Sequence, residues 1–226
     1  YRELGNNRLK AKVGHFFTIV GYEVVTAPDN FFYSHAFTMY NAEPFTHTGV
    51  LLEYELVEDV TVWGGWTQGW DTGFEDNGGN TFLGGFSLQL TDNLAFTYTT
   101  TLGDFGYDGG LSNGGAVGSD DNGYSHSIVM TYDFRDKWTY VLQSDLIDND
   151  VFLTGGQSTQ DVFGVNQYLM YQLNDCWAMG VRGEWYKDPR IGAGAAGEVT
   201  AVTVGANWRP HANVVFRPEV RWEDYR

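Results

Sequence analysis

The sequence predicts an all-β protein, and more narrowly an antiparallel transmembrane β-barrel with short turns at one end and long loops at the other. The composition is the first observation behind this prediction. Aromatic residues make up 16% of the chain, which has 29 Gly and only 5 Pro, a balance typical of β-structure with many turns. The other two observations are a repeat of turns and loops, and an apolar–polar alternation between them.

The repeat consists of short polar turns separated by longer polar segments. The turns fall at 58–59, 91–93, 135–137, 174–175 and 210–212, and the longer segments at 71–80, 104–124, 149–160 and 187–197. Each unit is therefore a strand, a short turn, a strand and a long loop. Outer-membrane barrels place short turns at one end and longer loops at the other.

We predict one domain over residues 1–226, with eleven strands at about 9–17, 46–56, 60–69, 81–90, 94–102, 125–134, 138–147, 161–173, 176–186, 199–208 and 214–223. Single-chain bacterial barrels have even strand numbers, and closure removes exposed edges. We therefore expect strands to be missing at one or both ends, and 12–18 strands in the complete barrel.

Alternation within the strands predicts which face meets lipid. In the last strand Val214, Phe216 and Trp222 share one face. A Lys or Arg on the lipid face costs roughly 2–4 kcal/mol near the midplane, so the opposite face should line a pore. The side chains predicted to line it are Arg8, Lys10, Lys12, Glu53, Glu55, Asp133, Asp145, Arg182, Glu184, Arg217, Glu219, Arg221 and Glu223.

Aromatic residues cluster near the ends of the apolar faces, as they do at the two interfaces of a membrane. The predicted girdle comprises Trp66, Trp138, Trp177, Trp185, Trp208 and Trp222. Strands of about ten residues suit a tilted membrane crossing, whereas soluble strands average nearer five or six. The alternative is a soluble β-sandwich that binds carbohydrate through exposed tryptophans.

Charge excludes one class of partner. The net charge is −16, and residues 13–134 contain no Lys or Arg. Binding of nucleic acid requires basic groups to neutralise phosphates, so nucleic acid is not expected as a partner.

The sequence contains no run of eighteen consecutive apolar residues, so a membrane-spanning helix is not expected. Cys176 is the one cysteine of the sequence and cannot form an internal disulfide.

Segment 18–45 breaks the repeat because it is long and rich in aromatic residues, and loops of this length are usually functional. We predict a constriction loop that folds into the lumen. Its charged residues are Glu23, Asp29 and Glu43, all acidic. The alternatives are a hydrophobic loop with a short helix on the rim, and a plug that closes a structural barrel.

Catalytic and metal sites receive little support. Ser125, His126 and Ser127 are adjacent, but neighbouring strand residues point to opposite faces, so no enzyme is expected. The acidic residues of two glycine-rich loops are weak calcium candidates without EF-hand spacing. They are Asp71, Glu75, Asp76, Asp120 and Asp121. No cofactor is expected.

Ordered motifs along nearly the whole chain carry a family resemblance. They are GHFFTIVGYE at 14–23, NFFYSH at 30–35, EPFTHTG at 43–49, GGWTQGWD at 64–71, NQYLMYQL at 166–173 and GVRGEWYKD at 180–188. Together they resemble the OmpL-like β-barrel porin family, which is common in planctomycete-type bacteria. The resemblance implies an outer-membrane diffusion channel for small hydrophilic solutes, surrounded by lipid, with a homotrimer as one option.

The predicted lumen charges allow two arrangements. Basic residues come from the first, ninth and eleventh predicted strands, and acidic residues from the second, sixth and seventh and from segment 18–45. Opposite charges on facing walls would create a transverse field that orients polar solutes. Alternatively, the charges pair within the wall and fix its shape. In either case the excess of acids predicts a mild preference for cations.

Overall fold

The computed structural model describes residues 2–4, 8–74, 78–106, 122–148, 161–188 and 197–226. The described strands form one antiparallel sheet. They are β1 Arg2–Leu4, β2 Leu9–Phe17, β3 Thr46–Val57, β4 Val60–Thr67, β5 Asn80–Thr91, β6 Leu94–Asp104, β7 Asn122–Phe134, β8 Trp138–Asp148, β9 Val162–Asn174, β10 Trp177–Lys187, β11 Glu198–His211, β12 Val214–Phe216 and β13 Glu219–Tyr225. The helical elements are a 3-10 turn, Ala27–Asp29, and α1, Phe37–Asn41.

Each strand pairs with the next along the chain, except that β12 and β13 both pair with β11. The break between them falls at Arg217 and Pro218, and proline has no N–H to donate to a sheet. All eleven predicted strands are confirmed, with β1 added and the last one split. The soluble-sandwich alternative is wrong, because it requires two packed sheets and the described strands form a single one.

The short turns lie together at one end of the sheet, which we call the turn end. Arg135 and Asp136 adopt left-handed backbone conformations there, with φ of 52° and 58°. Asn174 closes another turn, because its Oδ1 accepts the N–H groups of Cys176 at 2.9 Å and Trp177 at 3.0 Å. Segment 18–45 connects β2 to β3 at the opposite end, the loop end.

The register gives the sheet two distinct faces. On the outer face Val181 lies opposite Val204 and Trp177 opposite Trp208. On the other, inner face Arg182 lies opposite Thr203, and polar residues there are buried. The predicted alternation therefore corresponds to a real division between an apolar exterior and a polar interior.

The core lies between segment 18–45 and the inner face of the sheet. Ala42 of the segment packs in a buried cluster with Tyr186 and Val199 of β10 and β11. A second cluster joins Phe32 to Tyr168. Near the start of the segment, Val20 packs on Leu51 and Leu83 of β3 and β5. Among the described residues, no helix has the length and apolar character needed to cross a membrane.

Candidate functional site: the lumen

Segment 18–45 lies against the inner face of the sheet and is held there by polar contacts far apart in sequence. The Tyr22 N–H donates to Gln143 Oε1 on β8 at 3.3 Å. The Phe37 N–H donates to Glu184 Oε2 on β10 at 2.8 Å. The Asn166 amide of β9 donates to the Thr38 hydroxyl. The segment therefore binds three neighbouring strands at once.

Arg182 is the centre of these contacts, and its side chain is fully buried. Its Nη1 lies 2.7 Å from Glu23 Oε1, and its Nε lies 2.8 Å from Glu184 Oε1. The guanidinium also donates to the Ser34 carbonyl at 2.7 Å and stacks over the Phe32 ring at 5.1 Å. The fixed fork of five donors on arginine suits such simultaneous binding.

Glu23 is the carboxylate through which the segment binds Arg182. Burial on its own raises the pKa of Glu23. The hydrogen bond with His35, the charge of Arg182 and the N–H of Ala36 together bring this pKa below its ordinary value. Tyr168 also donates to Glu23 Oε1 at 3.0 Å. The carboxylate is therefore ionised, and both of its oxygens contact polar groups of the protein.

The last strand fastens the middle of the segment. Arg221 Nη1 lies 2.9 Å from Glu184 Oε1 and donates to the His35 carbonyl at 3.1 Å. Glu219 accepts the N–H groups of Tyr33 and Ser34 at 2.9 and 3.0 Å. Backbone groups of the segment are thus bound by charged side chains of β13.

A pair of acidic side chains holds the end of the segment. Gln143 Nε2 donates to Glu43 Oε1 at 2.6 Å and to Asp145 Oδ2 at 2.8 Å. Glu43 and Asp145 are both buried. Burial, together with the nearby charge of Asp145, raises the pKa of Glu43 well above its ordinary value. The glutamine amide therefore bridges the two carboxyl groups.

Asp71 fixes the point where the segment joins β3. Its Oδ1 accepts the Phe45 N–H at 3.0 Å and the Thr46 N–H at 2.6 Å. This role differs from the predicted calcium binding. Among the described residues, no group of three or more His, Cys, Asp or Glu side chains could hold a metal ion. The other calcium candidates, Glu75, Asp76, Asp120 and Asp121, lie outside the described residues.

The inner face of β2 and β3 carries a separate charged cluster. Lys10 Nζ lies 2.8 Å from Glu53 Oε1 and 3.5 Å from Glu55 Oε1. The Trp63 indole N–H donates to Glu53 Oε2 at 3.1 Å. The Glu55 side chain remains 46% exposed. These groups border open space on the wall formed by β2–β4.

Comparison with protein families decides which class of barrel this is. The sequence matches, over residues 1–226, the family described as putative beta-barrel porin-2, OmpL-like. The chain belongs to this porin family. It is accordingly an outer-membrane β-barrel protein. No curated protein matches the sequence.

Solved structures of outer-membrane channels share the fold of this porin. The outer membrane channel DcaP of Acinetobacter baumannii has a TM-score of 0.61 and 9% identity, over 97% of this chain and 69% of that one. In-vitro folded OmpT of Vibrio cholerae, in its trimer form, has a TM-score of 0.66 and 15% identity, over 97% and 67%. At such identities the likeness concerns the fold.

The register places the predicted pore-lining charges that lie within paired strands of the porin on the inner face. The other two flank strands: the Arg8 carbonyl accepts the Glu55 N–H at 2.9 Å, and Arg217 Nη1 donates to the Ala27 carbonyl of segment 18–45 at 2.6 Å. Many of the predicted charges are paired with near neighbours: Lys10 with Glu53, Arg182 with Glu184, and Arg221 with Glu184 and Glu223. Asp133 accepts the Thr139 hydroxyl at 2.5 Å. These contacts favour local pairing over the transverse field. That the charges line a solute path stays a prediction.

The acids of segment 18–45 depart from expectation. Glu23 and Glu43 are buried, with 5% and 0% exposure, so they do not face open water as charges bordering a passage would. Both carboxyl groups instead contact side chains on the inner face of the sheet. Asp29 alone of the three is exposed, and it accepts the Thr26 hydroxyl at 2.6 Å.

All six predicted girdle tryptophans lie on the outer face, and the structure adds neighbours that sequence reasoning missed. At the turn end, Trp138 packs against Phe134 and Tyr171, with ring centroids 6.0 and 4.6 Å apart. Trp177 stacks on Trp208 at 5.7 Å, and Phe216 extends the row. Alternation of side chains along each strand also assigns these neighbours to the outer face, so the sequence contained the signal for them. That this row contacts lipid headgroups stays a prediction.

The serine and histidine candidates do not assemble. Ser125 lies on the inner face, where its hydroxyl is 2.6 Å from that of Thr101. His126 lies on the outer face beside Tyr124, with Nδ1 2.9 Å from the phenol oxygen. The buried polar residues that the prediction omitted, Gln143, Asn166, Tyr168 and Thr203, share the inward parity of the predicted charges. Their partners in segment 18–45 could not be read from parity.

Proposed function

We propose that this porin is a passive diffusion channel for small hydrophilic solutes and ions, with segment 18–45 forming its constriction. The observation that carries the proposal is the position of the segment. It is held over the inner faces of β8–β11 and β13 by buried polar contacts centred on Arg182. The segment thereby narrows the lumen while leaving charged residues of β2 and β3 exposed. The mechanism requires no cofactor and no catalytic group.

The proposed selectivity is a mild preference for cations. Acidic residues outnumber basic ones in the chain, 29 against 13. On the inner face of β2 and β3, Lys10 is shared between Glu53 and the more exposed Glu55. An excess of negative charge along a water-filled path lowers the energy of cations there. The preference is modest because most charges have local partners.

One observation supports the rival function of a plugged structural barrel. Val20 reaches Leu51 and Leu83 on β3 and β5, while the middle of the segment reaches β13. A segment that contacts walls on both sides could close the lumen near the loop end. The choice between a constriction and a plug depends on whether water and ions still pass beside it.

Single-channel conductance of the full-length protein in a planar bilayer, under a salt gradient, tests the proposal. Stable ohmic steps with a reversal potential on the cation side are the expected result. Complete silence from folded, inserted protein would overturn the channel and favour the plugged barrel. A variant lacking residues 24–42 would then separate the two, because removal of a plug opens a silent barrel.

The proposed partners are outer-membrane lipid and further copies of the chain. The trimer form recorded for OmpT is the reason to test for a homotrimer. Chemical crosslinking of the full-length protein in native membranes, followed by electrophoresis, should give a ladder that ends at three subunits. A single band at the mass of one subunit would contradict the homotrimer.

A further inference from the structure

A cavity of about 280 Å³ lies between segment 18–45 and the turn-end part of β8–β11. Its lining includes Asp29 and Phe31 of the segment, Lys137 and Cys176 of two turns, and Asn207 and Arg209 of β11. Small-molecule sites typically span roughly 300–1,000 Å³. At about 280 Å³ the cavity lies just below this range, which limits it to a small solute about the size of a monosaccharide.

The two cations of the cavity have donors to spare. In the part of the chain that the structure describes, the Arg209 side chain has no polar partner. Lys137 Nζ donates to the Leu173 carbonyl at 3.2 Å, which leaves two of its three N–H donors. Asp29, the acid of the cavity, already accepts the Thr26 hydroxyl at 2.6 Å. The unused groups thus favour an anionic ligand, and guanidinium and ammonium groups bind carboxylates well.

Asn207 indicates a second property of the ligand, a hydrogen-bond donor. Its side chain is buried, with 6% exposure, and its Oδ1 has no hydrogen-bond partner among the described residues. A buried acceptor without a partner costs about 1–3 kcal/mol, and most such groups in proteins are satisfied. An amide oxygen accepts hydrogen bonds, so the missing partner is a donor such as a hydroxyl group.

We propose that this cavity is a solute-binding site for small hydroxylated carboxylates, the class that includes sugar acids. The carboxylate binds Arg209 and Lys137, a hydroxyl donates to Asn207 Oδ1, and the carbon chain packs on the Phe31 ring. The assignment deepens the proposed channel function and rests on it for its role in transport. Few direct contacts keep the binding weak enough for the solute to leave, as conduction requires.

Cys176 provides a direct test, because it is exposed, lines the cavity and is the one cysteine of the sequence. Its thiolate attacks a methanethiosulfonate reagent, forming a mixed disulfide and releasing methanesulfinate. We expect D-gluconate to slow this labelling in a saturable manner. D-Glucose, which lacks the carboxylate, and propionate, which lacks the hydroxyls, should protect far less. Equal protection by all three solutes, or none by gluconate, would overturn the site.

Charge at the site is tested with anionic and cationic reagents of the same class. The anionic reagent should label Cys176 faster, and the double variant Lys137→Gln/Arg209→Gln should reduce the ratio of the two rates by roughly fivefold, as expected for the loss of two nearby charges. Asn207→Leu should abolish gluconate protection while keeping this ratio. The matched control is Arg135→Gln, because Arg135 lies in the same turn as Lys137 but outside the cavity lining. An unchanged ratio in the double variant would contradict the site.

The labelling assay distinguishes failure of the site from failure of the channel. It is run on full-length protein in detergent micelles and requires no current. A silent barrel in which gluconate protects Cys176 would retain the site and overturn the channel. A conducting barrel without protection would retain the channel and overturn the site.

Discussion

At the scale of single residues, Arg182 has the largest share in positioning segment 18–45. Its guanidinium satisfies Glu23 of the segment and Glu184 of β10, and it also binds the backbone at Ser34. A buried arginine with two carboxylates is strongly coupled to them, because removal of one partner leaves an uncompensated buried charge. Arg182 is therefore a positioning residue for segment 18–45.

Replacement of Arg182 should release the segment. In Arg182→Met the carboxylates of Glu23 and Glu184 stay buried with their main cation gone, at a cost of about 3–5 kcal/mol. Limited chymotrypsin digestion of folded protein should then cleave near Phe32, which is 3% exposed in the docked segment. Open-channel current noise should rise in parallel.

The control for this prediction is Arg226→Met. Arg226 pairs with Asp224 at 3.2 Å, with side-chain exposures of 73% and 42%, so protease resistance should remain that of the wild type. Addition of Glu23→Gln to Arg182→Met should restore part of the resistance, since it removes one unpaired charge. Full protection of Phe32 in Arg182→Met would contradict the positioning role.

Glu23 and Glu43 should give segment docking opposite dependences on pH. The pKa of Glu43 is raised by burial and by Asp145, so its contribution is fully present below about 4.5 and is lost as pH rises toward its folded pKa. The pKa of Glu23 is lowered in the folded protein despite burial, by His35 and Arg182. Its contribution is therefore present above about 4.5 and is lost as pH falls through its folded pKa.

Glu43→Gln should accordingly change the pH dependence of Tm above about pH 4.5 and not below it. The Tm of this variant minus that of the wild type should increase as pH rises from about 4.5 toward neutrality. Over this range the unfolded wild type gains stability by ionising Glu43, whereas the buried carboxyl of the folded protein keeps its proton, and glutamine cannot ionise in either state. The measurement is tryptophan fluorescence during thermal unfolding in detergent. Glu58→Gln, in an exposed turn, is the control, and a pH-independent difference for Glu43→Gln would refute the idea.

At the scale of elements, the sequence predicts the strands well and their partners across the lumen poorly. Strand alternation is a local pattern, so inward charges such as Arg182 could be assigned by counting. The burial of Glu43 and the contacts across the lumen depend on groups brought together by the fold. Tyr22 and Gln143, for example, are 121 positions apart in the chain, and no local pattern encodes that pairing.

The outer aromatic row at the turn end gives a prediction about membrane depth. Trp177 and Trp208 stack on neighbouring strands near the turns, where we expect lipid headgroups. Lipids brominated near the headgroup should quench them, so Trp177→Phe and Trp208→Phe should each reduce the quenched fraction of the fluorescence. Trp70, buried against Phe105 at 4.4 Å, is the control, since Trp70→Phe should raise that fraction. The reverse pattern would place the row outside the bilayer interface.

At the scale of the whole molecule, the inner surface has two parts with different electrostatics. The part under segment 18–45 is dense with charge but neutralised locally, as the contacts of Arg182 and Arg221 illustrate. The part on β2 and β3 keeps Glu55 exposed. A field that acts on passing ions depends on charges in contact with water, so the second part should set the ion preference. The solute site proposed near Arg209 would act on one class of solute, which is compatible with such an average preference.

Ion selectivity should therefore respond to exposure and not to the count of acids. Glu55→Gln should shift the reversal potential in a KCl gradient toward zero, whereas Glu23→Gln should leave it nearly unchanged, because Glu23 is 5% exposed and already neutralised by Arg182. Lys12→Gln, on the inner face of the same wall, should shift it in the opposite direction to Glu55→Gln. The comparison is made at about 0.1 M salt, where screening extends over about 10 Å. A larger shift for Glu23→Gln than for Glu55→Gln would mean that the segment itself, with its buried carboxylates opened to water, forms the ion path.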